Sequence, residues 1–225
     1  MPRRLGRAFF AGDVLTVAPE LLGCTISHGG VTVRVTETEG YAGYLHDPGS
    51  HAFRGETART APMFGLGGFT YVYFTYGMHW MLCLVTGPVG LAQAVLVRAG
   101  EVVCGHDVAA ARRVGAATRD WCRGPARLAT TLGLTGADTG LDFCAPRGSA
   151  GAAGTIDLVV RAAAKPVDPT MILTGPRVGV SGPGGDGTAY PWRFVLDGEP
   201  TVSVYRPGVR RARQKKNGST RLSVG

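Results

Sequence analysis

Apolar positions along this chain fall into short runs punctuated by glycine, and their spacing predicts the elements. Asp13 is placed to cap a helix over Val14–Leu22, which Gly23 closes. Residues 24–28 and 31–39 alternate on either side of Gly29-Gly30, the pattern of a hairpin. The stretch 42–69 is rich in glycine, proline and polar residues and is too long for a passive connection. Strands are predicted at 70–75 and 79–86, with Tyr76-Gly77 at the bend, and at 92–99. Helical spacing suits 106–116 and 125–133, the second opened by Gly124-Pro125 with proline at the first helical position. Residues 134–154, low in apolar content, predict an exposed excursion, and short strands follow at 156–161, 177–181, 192–197 and 201–205. Helices interleaved with hairpins predict an α+β fold: a single mixed domain, residues 1–205, with a curved, mainly antiparallel β-sheet flanked by helices. Residues 206–225 read as a separate basic tail without fixed structure.

Composition narrows the class. A chain of 225 residues with 44% hydrophobic and 18% charged residues can bury a substantial core and is not compositionally disordered. No apolar run approaches a membrane span, and the apolar stretch near the basic start is too short for a signal peptide. The cysteines at 24, 83, 104, 122 and 144 are odd in number and form no Cys-x-x-Cys pair, which predicts reduced thiols in a cytosol rather than a disulfide framework or a zinc site. The histidines have no paired spacing, so no metal is expected.

The net charge of +8 is unevenly placed. Arg206, Arg210, Arg211, Arg213, Lys215, Lys216 and Arg221 put seven of those charges on residues 206–225, which contain no carboxylate, and leave +1 on residues 1–205. Such a tail is either a solvated end or an arm that binds phosphates without reading sequence. Residues 57–100 hold Arg59 and Arg98 and no carboxylate, a second, weaker pointer to a polyanion.

Candidate chemistry concentrates in two strands. Glu37, Glu39 and Tyr41 share one face of the first, since side chains two apart point the same way. On the residues alone two assignments fit the carboxylates: solvent-facing partners of arginines, or a desolvated general base beside stacking aromatics. Phe69, Tyr71 and Tyr73 share a face of the second, as packing residues or as a box for a flat heterocycle. Tyr76, on a tight turn before Gly77, projects outward, where a wedge between stacked bases would stand. The glycine runs at 65–68 and 182–187 lack the residues that would complete a phosphate or dinucleotide loop, and there is no Gly-x-Ser-x-Gly elbow.

These segments resemble the alkyladenine (3-methyladenine) DNA glycosylase family. Val35-Thr-Glu-Thr-Glu39-Gly-Tyr41, Asp47-Pro-Gly-Ser-His51-Ala-Phe-Arg-Gly55 and Tyr71-Val-Tyr73-Phe-Thr-Tyr76-Gly-Met-His79 carry the similarity. Echoes in Ala94–Ala99, Cys122–Leu128, Gly175–Val180 and Pro191–Phe194 extend it, in order, over about residues 12–205. The resemblance implies a monofunctional enzyme that rotates a damaged purine out of double-stranded DNA and hydrolyses its N-glycosidic bond with water. It needs neither metal nor organic cofactor, acts as a monomer and has no membrane partner. By position it makes Glu39 the general base and Arg98 its helper. Tyr41 and His51 would sandwich the base, Tyr73 would close the pocket edge, and Tyr76 would fill the gap in the duplex. It puts Met78, Arg59, Arg127 and Arg177 beside Tyr76 on the DNA-facing side.

The chain departs from the family in places. One extra residue lies between Tyr41 and His51, where Tyr44-Leu45-His46 replaces a Gly-Pro-acidic stretch, and Thr57-Ala-Arg59-Thr60 replaces Thr-Pro-Arg-Asn. Cys83 stands where the family's pocket floor carries asparagine, which leaves the substrate range open. Alternatives are a specialised glycosylase for bulky purine adducts, such as self-protection against an alkylating metabolite, and a damage-binding protein that flips without cutting. A general nucleic-acid-binding module would call for a basic body rather than a near-neutral one.

Overall fold

The computed structural model of the chain describes residues 2–146, 150–151, 154–155 and 157–209. The first helices are α1 (Arg7–Phe10) and α2 (Val14–Glu20), the latter capped by Asp13, whose carboxylate accepts the Leu15 N–H at 2.9 Å. A hairpin follows, β1 (Thr25–His28) and β2 (Val31–Tyr41). It turns at Gly29 and Gly30, which both take the left-handed conformation that a two-residue hairpin loop demands. The long loop leads to a second hairpin, β3 (Thr70–Thr75) and β4 (His79–Thr86), and then to β5 (Gln93–Cys104). Helices α3 (His106–Arg112) and α4 (Pro125–Leu132) come next; α4 starts on proline and ends at Gly133 with φ +73°.

Every strand pairing is antiparallel. The main sheet runs β3-β4-β5-β2-β1-β8, where β8 is Val159–Arg161, and it is not closed. The far edge of β2 divides: its first half pairs β1, and Glu37–Glu39 pair β10 (Arg193–Leu196), which in turn pairs β9 (Ile172–Gly175). The remaining strands, β6 (Ala150–Gly151) and β7 (Gly154–Thr155), pair only with each other. The α+β expectation with a mainly antiparallel sheet therefore holds. One side of the sheet is packed by α2 and α4 around Phe10, Val14, Val33, Val35, Val95, Val97 and Leu128. Burying each such side chain is worth roughly 1.5–3 kcal/mol. A second, smaller cluster of Ala52, Met63, Tyr71, Cys83, Ala94 and Leu96 forms apart from it.

Three expectations need correction. Residues 177–181 and 201–205 form no strand; β9, at 172–175, is a strand instead. The cause is that backbone groups in both segments serve side chains rather than a ladder: the Val178 N–H goes to Glu39 and the Ser203 N–H to Glu37. The stretch from 134 is not simply exposed. Leu134, Leu141 and Phe143 are buried, and residues 139–141 bond along β3, covering that edge strand. Residues 147–149 and 152–153 of that expectation, 156 of the strand expected at 156–161, and 210–225 of the tail lie outside the described residues.

Candidate active site

The acidic strand reaches the site through a shift of register. Pairing between β2 and β5 slips by one residue between Val35 and Glu37 and slips back between Glu37 and Thr38. Val31, Val33 and Val35 face the main core, so unbroken alternation would send Glu37, Glu39 and Tyr41 there as well. The bulge turns them to the opposite face, where Leu96 and Arg98 point.

Both carboxylates are fully buried, and each is fully partnered. Glu39 Oε2 accepts from the Tyr41 hydroxyl at 2.8 Å and from Arg98 Nη1 at 3.3 Å, while Oε1 accepts the Val178 N–H at 2.7 Å. Glu37 takes Arg98 Nε at 3.0 Å, Arg193 Nε at 2.7 Å and the Ser203 N–H at 2.7 Å. Arg98 thus bridges the pair. Burial works against its charge, but Glu39 and then Glu37 more than offset that and raise its pKa above the ordinary arginine value. Burial, reinforced by Glu39, also raises the Tyr41 pKa well above the usual phenol value, so its proton stays to be donated.

In front of this cluster opens a cavity of about 330 Å³. Tyr41, His51, Tyr71, Tyr73 and Arg98 wall it, Cys83, Ala94 and Leu96 contribute its small apolar lining, and Val178–Ser181 and Tyr76 also border it. Tyr71 and Tyr73, two apart on β3, stack with centroids 5.2 Å apart, and His51 meets Tyr73 edge-on at 4.8 Å. His51 Nδ1 lies 3.3 Å from the Tyr71 hydroxyl. His51 is partly exposed, yet its loss of water against these rings, then the Arg59 charge, lowers its pKa below the ordinary histidine value of 6.5. Burial raises Tyr71 to about 12 and pushes the Cys83 thiol, which also faces Glu39, far above its usual range. The floor and the aromatic walls are therefore neutral; the formal charges are those of Arg98 and the carboxylates behind it.

At the tip of the β3–β4 hairpin, Tyr76 is 77% exposed and holds φ +53°, a left-handed conformation costly for a non-glycine residue. Met78 beside it is 67% exposed. Arg59 rests on the Tyr73 ring at 5.6 Å and donates to the Phe74 carbonyl. Arg127, on α4 next to the Pro125 that borders the cavity, is half exposed and 3.5 Å from Asp120.

Arg177 is the correction among the site residues. Expected to face DNA, it is wholly buried, with Nη1 and Nη2 each 2.6 Å from an Asp47 oxygen and further bonds to the Gly40 and Gly184 carbonyls. Its guanidinium lies 4.5 Å from the centre of the Tyr41 ring and also meets Tyr190 and Trp192. A side chain so enclosed reaches no phosphate; it braces the Tyr41 wall and the loop that brings in His51. The Val178 N–H, Arg193, Ser203 and Asp47 are parts of the site that sequence reasoning missed. Backbone donors and partners more than a hundred residues apart leave no local pattern. Among the described residues no His, Cys, Asp and Glu group is placed to hold a metal, and no helix is long and apolar enough to cross a membrane.

A desolvated carboxylate thus lies behind an aromatic cavity with an exposed tyrosine at its rim, an arrangement able to hold a flat heterocycle. Residues 8–200 match the model of the family described as Methylpurine-DNA glycosylase (MPG). A Streptomyces avermitilis protein is 49% identical over 215 residues, covering 93% of this chain and 95% of the relative. One from Frankia casuarinae is 47% identical over 207 residues, 90% and 93% of the two chains, and one from Leifsonia xyli 47% over 210 residues, 89% and 92%. All three bear the name "Putative 3-methyladenine DNA glycosylase". The chain belongs to the methylpurine-DNA glycosylase family, and so among the DNA glycosylases of base excision repair.

Proposed function

We propose that this protein rotates an alkylated purine nucleotide out of duplex DNA into the aromatic cavity and hydrolyses its N-glycosidic bond, with Glu39 as general base. The observation that carries this reading is the placement of Glu39: buried directly behind the cavity wall, and held by three groups that line it, Tyr41, Arg98 and the Val178 N–H. A water between Glu39 and the sugar loses its proton to the carboxylate as its oxygen bonds to C1′. The C1′–N9 electron pair leaves with the base, so an N-alkylated, cationic purine departs neutral. As the C1′–N9 bond stretches, Glu39, still ionised before it takes the proton, offsets part of the positive charge that builds on the sugar. Stacking against Tyr41, Tyr73 and His51 favours a cationic ring, and a neutral His51 does not repel it.

Tyr76 fits the role of the wedge that holds the duplex open, since a bulky aromatic kept exposed and strained at a hairpin tip has no partner within the described fold. Among the described residues the cavity lining contains no lysine whose amine could form an imine with the sugar, which favours hydrolysis alone over a lyase step. The full set of residues around Glu39 speaks for cutting rather than mere binding of damage. The deciding experiment incubates the protein with alkylated, deaminated and adducted duplexes and identifies free base by mass spectrometry. Methylated purine appears if this reading is right; a protein that binds these duplexes tightly and releases none is a damage binder instead.

A further inference from the structure

Two of the groups that hold Glu39 are themselves held by one short segment of chain. Arg98 is shared with Glu37, and Glu37 accepts the Ser203 N–H at 2.7 Å and the Ser203 hydroxyl at 3.0 Å. Arg193 ties the same corner together, donating to Glu37 and to the Ser203 carbonyl. Further along, the Arg206 carbonyl accepts the Gly179 N–H at 2.8 Å, while the neighbouring Val178 N–H goes to Glu39 at 2.7 Å. The Val178–Ser181 wall of the cavity is thus gripped from both sides, Glu39 taking one N–H and the outer segment the next. Gly208 closes the grip. A Cβ on it would sit 2.4 Å from the Val180 carbonyl carbon and oxygen and 2.5 Å from the Ser181 nitrogen.

The residue types suit this task. In Arg206-Pro207-Gly208 the proline fixes its own φ and confines Arg206 to extended backbone, which orients the accepting carbonyl. Glycine then allows a backbone approach that any side chain would block. The root is equally fixed: Thr201 is buried with its hydroxyl 2.9 Å from that of Thr36, and the Val202 carbonyl accepts from Arg123 Nε at 2.9 Å. We infer that residues 201–208 are a positioning clasp for Glu39, rooted beside Glu37 and keeping the Val178 N–H on the carboxylate by pressing the Val178–Ser181 wall inward. That N–H fixes one oxygen of Glu39, and Tyr41 and Arg98 fix the other, so the base meets its water in one orientation. The clasp follows residues 8–200, the stretch that matches the family model, so family membership assigns it no role. The task given to Glu39 rests on the glycosylase reading; the grip on its N–H donor does not.

The test uses the full chain with Gly208→Val, whose added atoms push the wall outward, and with Pro207→Gly, which removes no contact but frees the Arg206 carbonyl. Amide exchange in heavy water is followed by NMR, beside affinity for a duplex with a methylated purine and single-turnover base release at saturating duplex. The Val178 and Gly179 amides should exchange about tenfold faster or more in Gly208→Val, while Leu82 and Leu84 in β4 keep their protection. Base release at saturation should slow by about 10–100-fold, the cost of displacing a catalytic group by about 1 Å, and by a smaller factor in Pro207→Gly. The loss should fall on this rate and not on affinity, as it does for a group that acts in the transition state. Faster exchange at Val178 with an unchanged rate overturns the clasp, and so does a loss of affinity as large as the loss of rate. If Gly208→Val loosens Leu82 and Leu84 as well, Pro207→Gly decides: wild-type exchange at Val178 and a wild-type rate overturn the clasp. If the full chain releases no base while the Val178 amide of Gly208→Val still loses protection alone, the glycosylase reading fails and the clasp on Glu39 stands.

Discussion

Arg177 and Asp47 close on each other with two 2.6 Å contacts and no solvent access to either side chain. The pair joins the loop after β2 to the segment before Val178, so the His51 loop, the Tyr41 ring and the N–H that holds Glu39 share one anchor. Desolvating both ions offsets much of their attraction, but leaving either without its partner is far worse. Asp47→Ala should lower unfolding free energy by about 3–5 kcal/mol, read from urea denaturation. Asp47→Asn with Arg177→Met removes both charges and should recover part of the loss. Additive losses in the double variant would show that the two side chains are not coupled.

Glu39→Gln should keep binding to damaged duplex and lose excision by roughly 10²–10⁴, because an amide takes no proton from water. Single-turnover base release gives the number. Glu37→Gln should be far milder on the rate. Its cost falls on stability, about 1.5–3 kcal/mol, since Glu37 accepts from Arg98, Arg193 and Ser203 in the dry interior. Equal losses of rate in the two variants would remove Glu39 from the role of base.

Much of this arrangement was legible in the chain because its cues are local. Asp13 as a cap, the Gly29-Gly30 hairpin, both edges of β3 and β4, and a common face for Glu37, Glu39 and Tyr41 all follow from spacing within a few residues. The bulge was not legible: period-two alternation carries Val31–Tyr41 straight through and cannot say that the face changes at Glu37. Arg177 was misplaced for a related reason. Its neighbourhood is glycine-rich and polar, as an exposed loop is, and only Asp47, 130 positions away, explains its burial. The false strands at 177–181 and 201–205 are apolar alternations whose backbone donors were taken by Glu39 and Glu37.

Tyr76→Ala should weaken binding to paired lesions and slow their excision, by an amount matching the few kcal/mol needed to hold a nucleotide unstacked. Lesions in single strands, which need no wedge, should be affected much less. A fluorescent base analogue beside the lesion should brighten on binding the wild-type chain and less with the variant. An unchanged signal would mean that Tyr76 stays outside the duplex.

Histidine titration offers a pH test. Folding lowers the His51 pKa, through loss of water and then through Arg59, from the ordinary histidine value of 6.5. Above that value the group is neutral in both states and its contribution to stability is fully present. As pH falls through 6.5 the unfolded chain takes up the proton first, so stability declines until the folded pKa is passed. Arg59→Ala removes the second cause and should move the His51 pKa upward, toward 6.5, in an NMR titration. At about pH 6 the variant's grip on a cationic purine should then weaken more than at pH 8, as imidazolium repels the base. Loss of a phosphate contact alone would weaken binding alike at both pH values and leave the titration unmoved.

The cavity floor is placed to bear on which purine fits. Cys83 is buried on β4, opposite Tyr71 on one side and Leu96 on the other, and it lines the cavity with a thiol kept protonated by burial. By the sequence resemblance this position corresponds to an asparagine, whose amide could bond a purine edge and whose bulk would obstruct the exocyclic amino group that guanine carries and adenine lacks. A thiol is smaller and a weak donor, so it relieves the obstruction and gives up the polar contact. A lost hydrogen bond in a closed site costs roughly 1–3 kcal/mol. N-methylguanine or bulkier guanine adducts should therefore be excised at least as well as N-methyladenine, and hypoxanthine, which lacks the cationic charge, poorly. Single-turnover rates on the three duplexes for wild type and Cys83→Asn provide the measurement. The variant should raise hypoxanthine excision relative to guanine lesions by about 5–150-fold, the rate equivalent of that hydrogen bond. If the ratio stays fixed while the variant folds and binds normally, discrimination lies with the walls, Tyr41, His51 and Tyr73, and not with the floor.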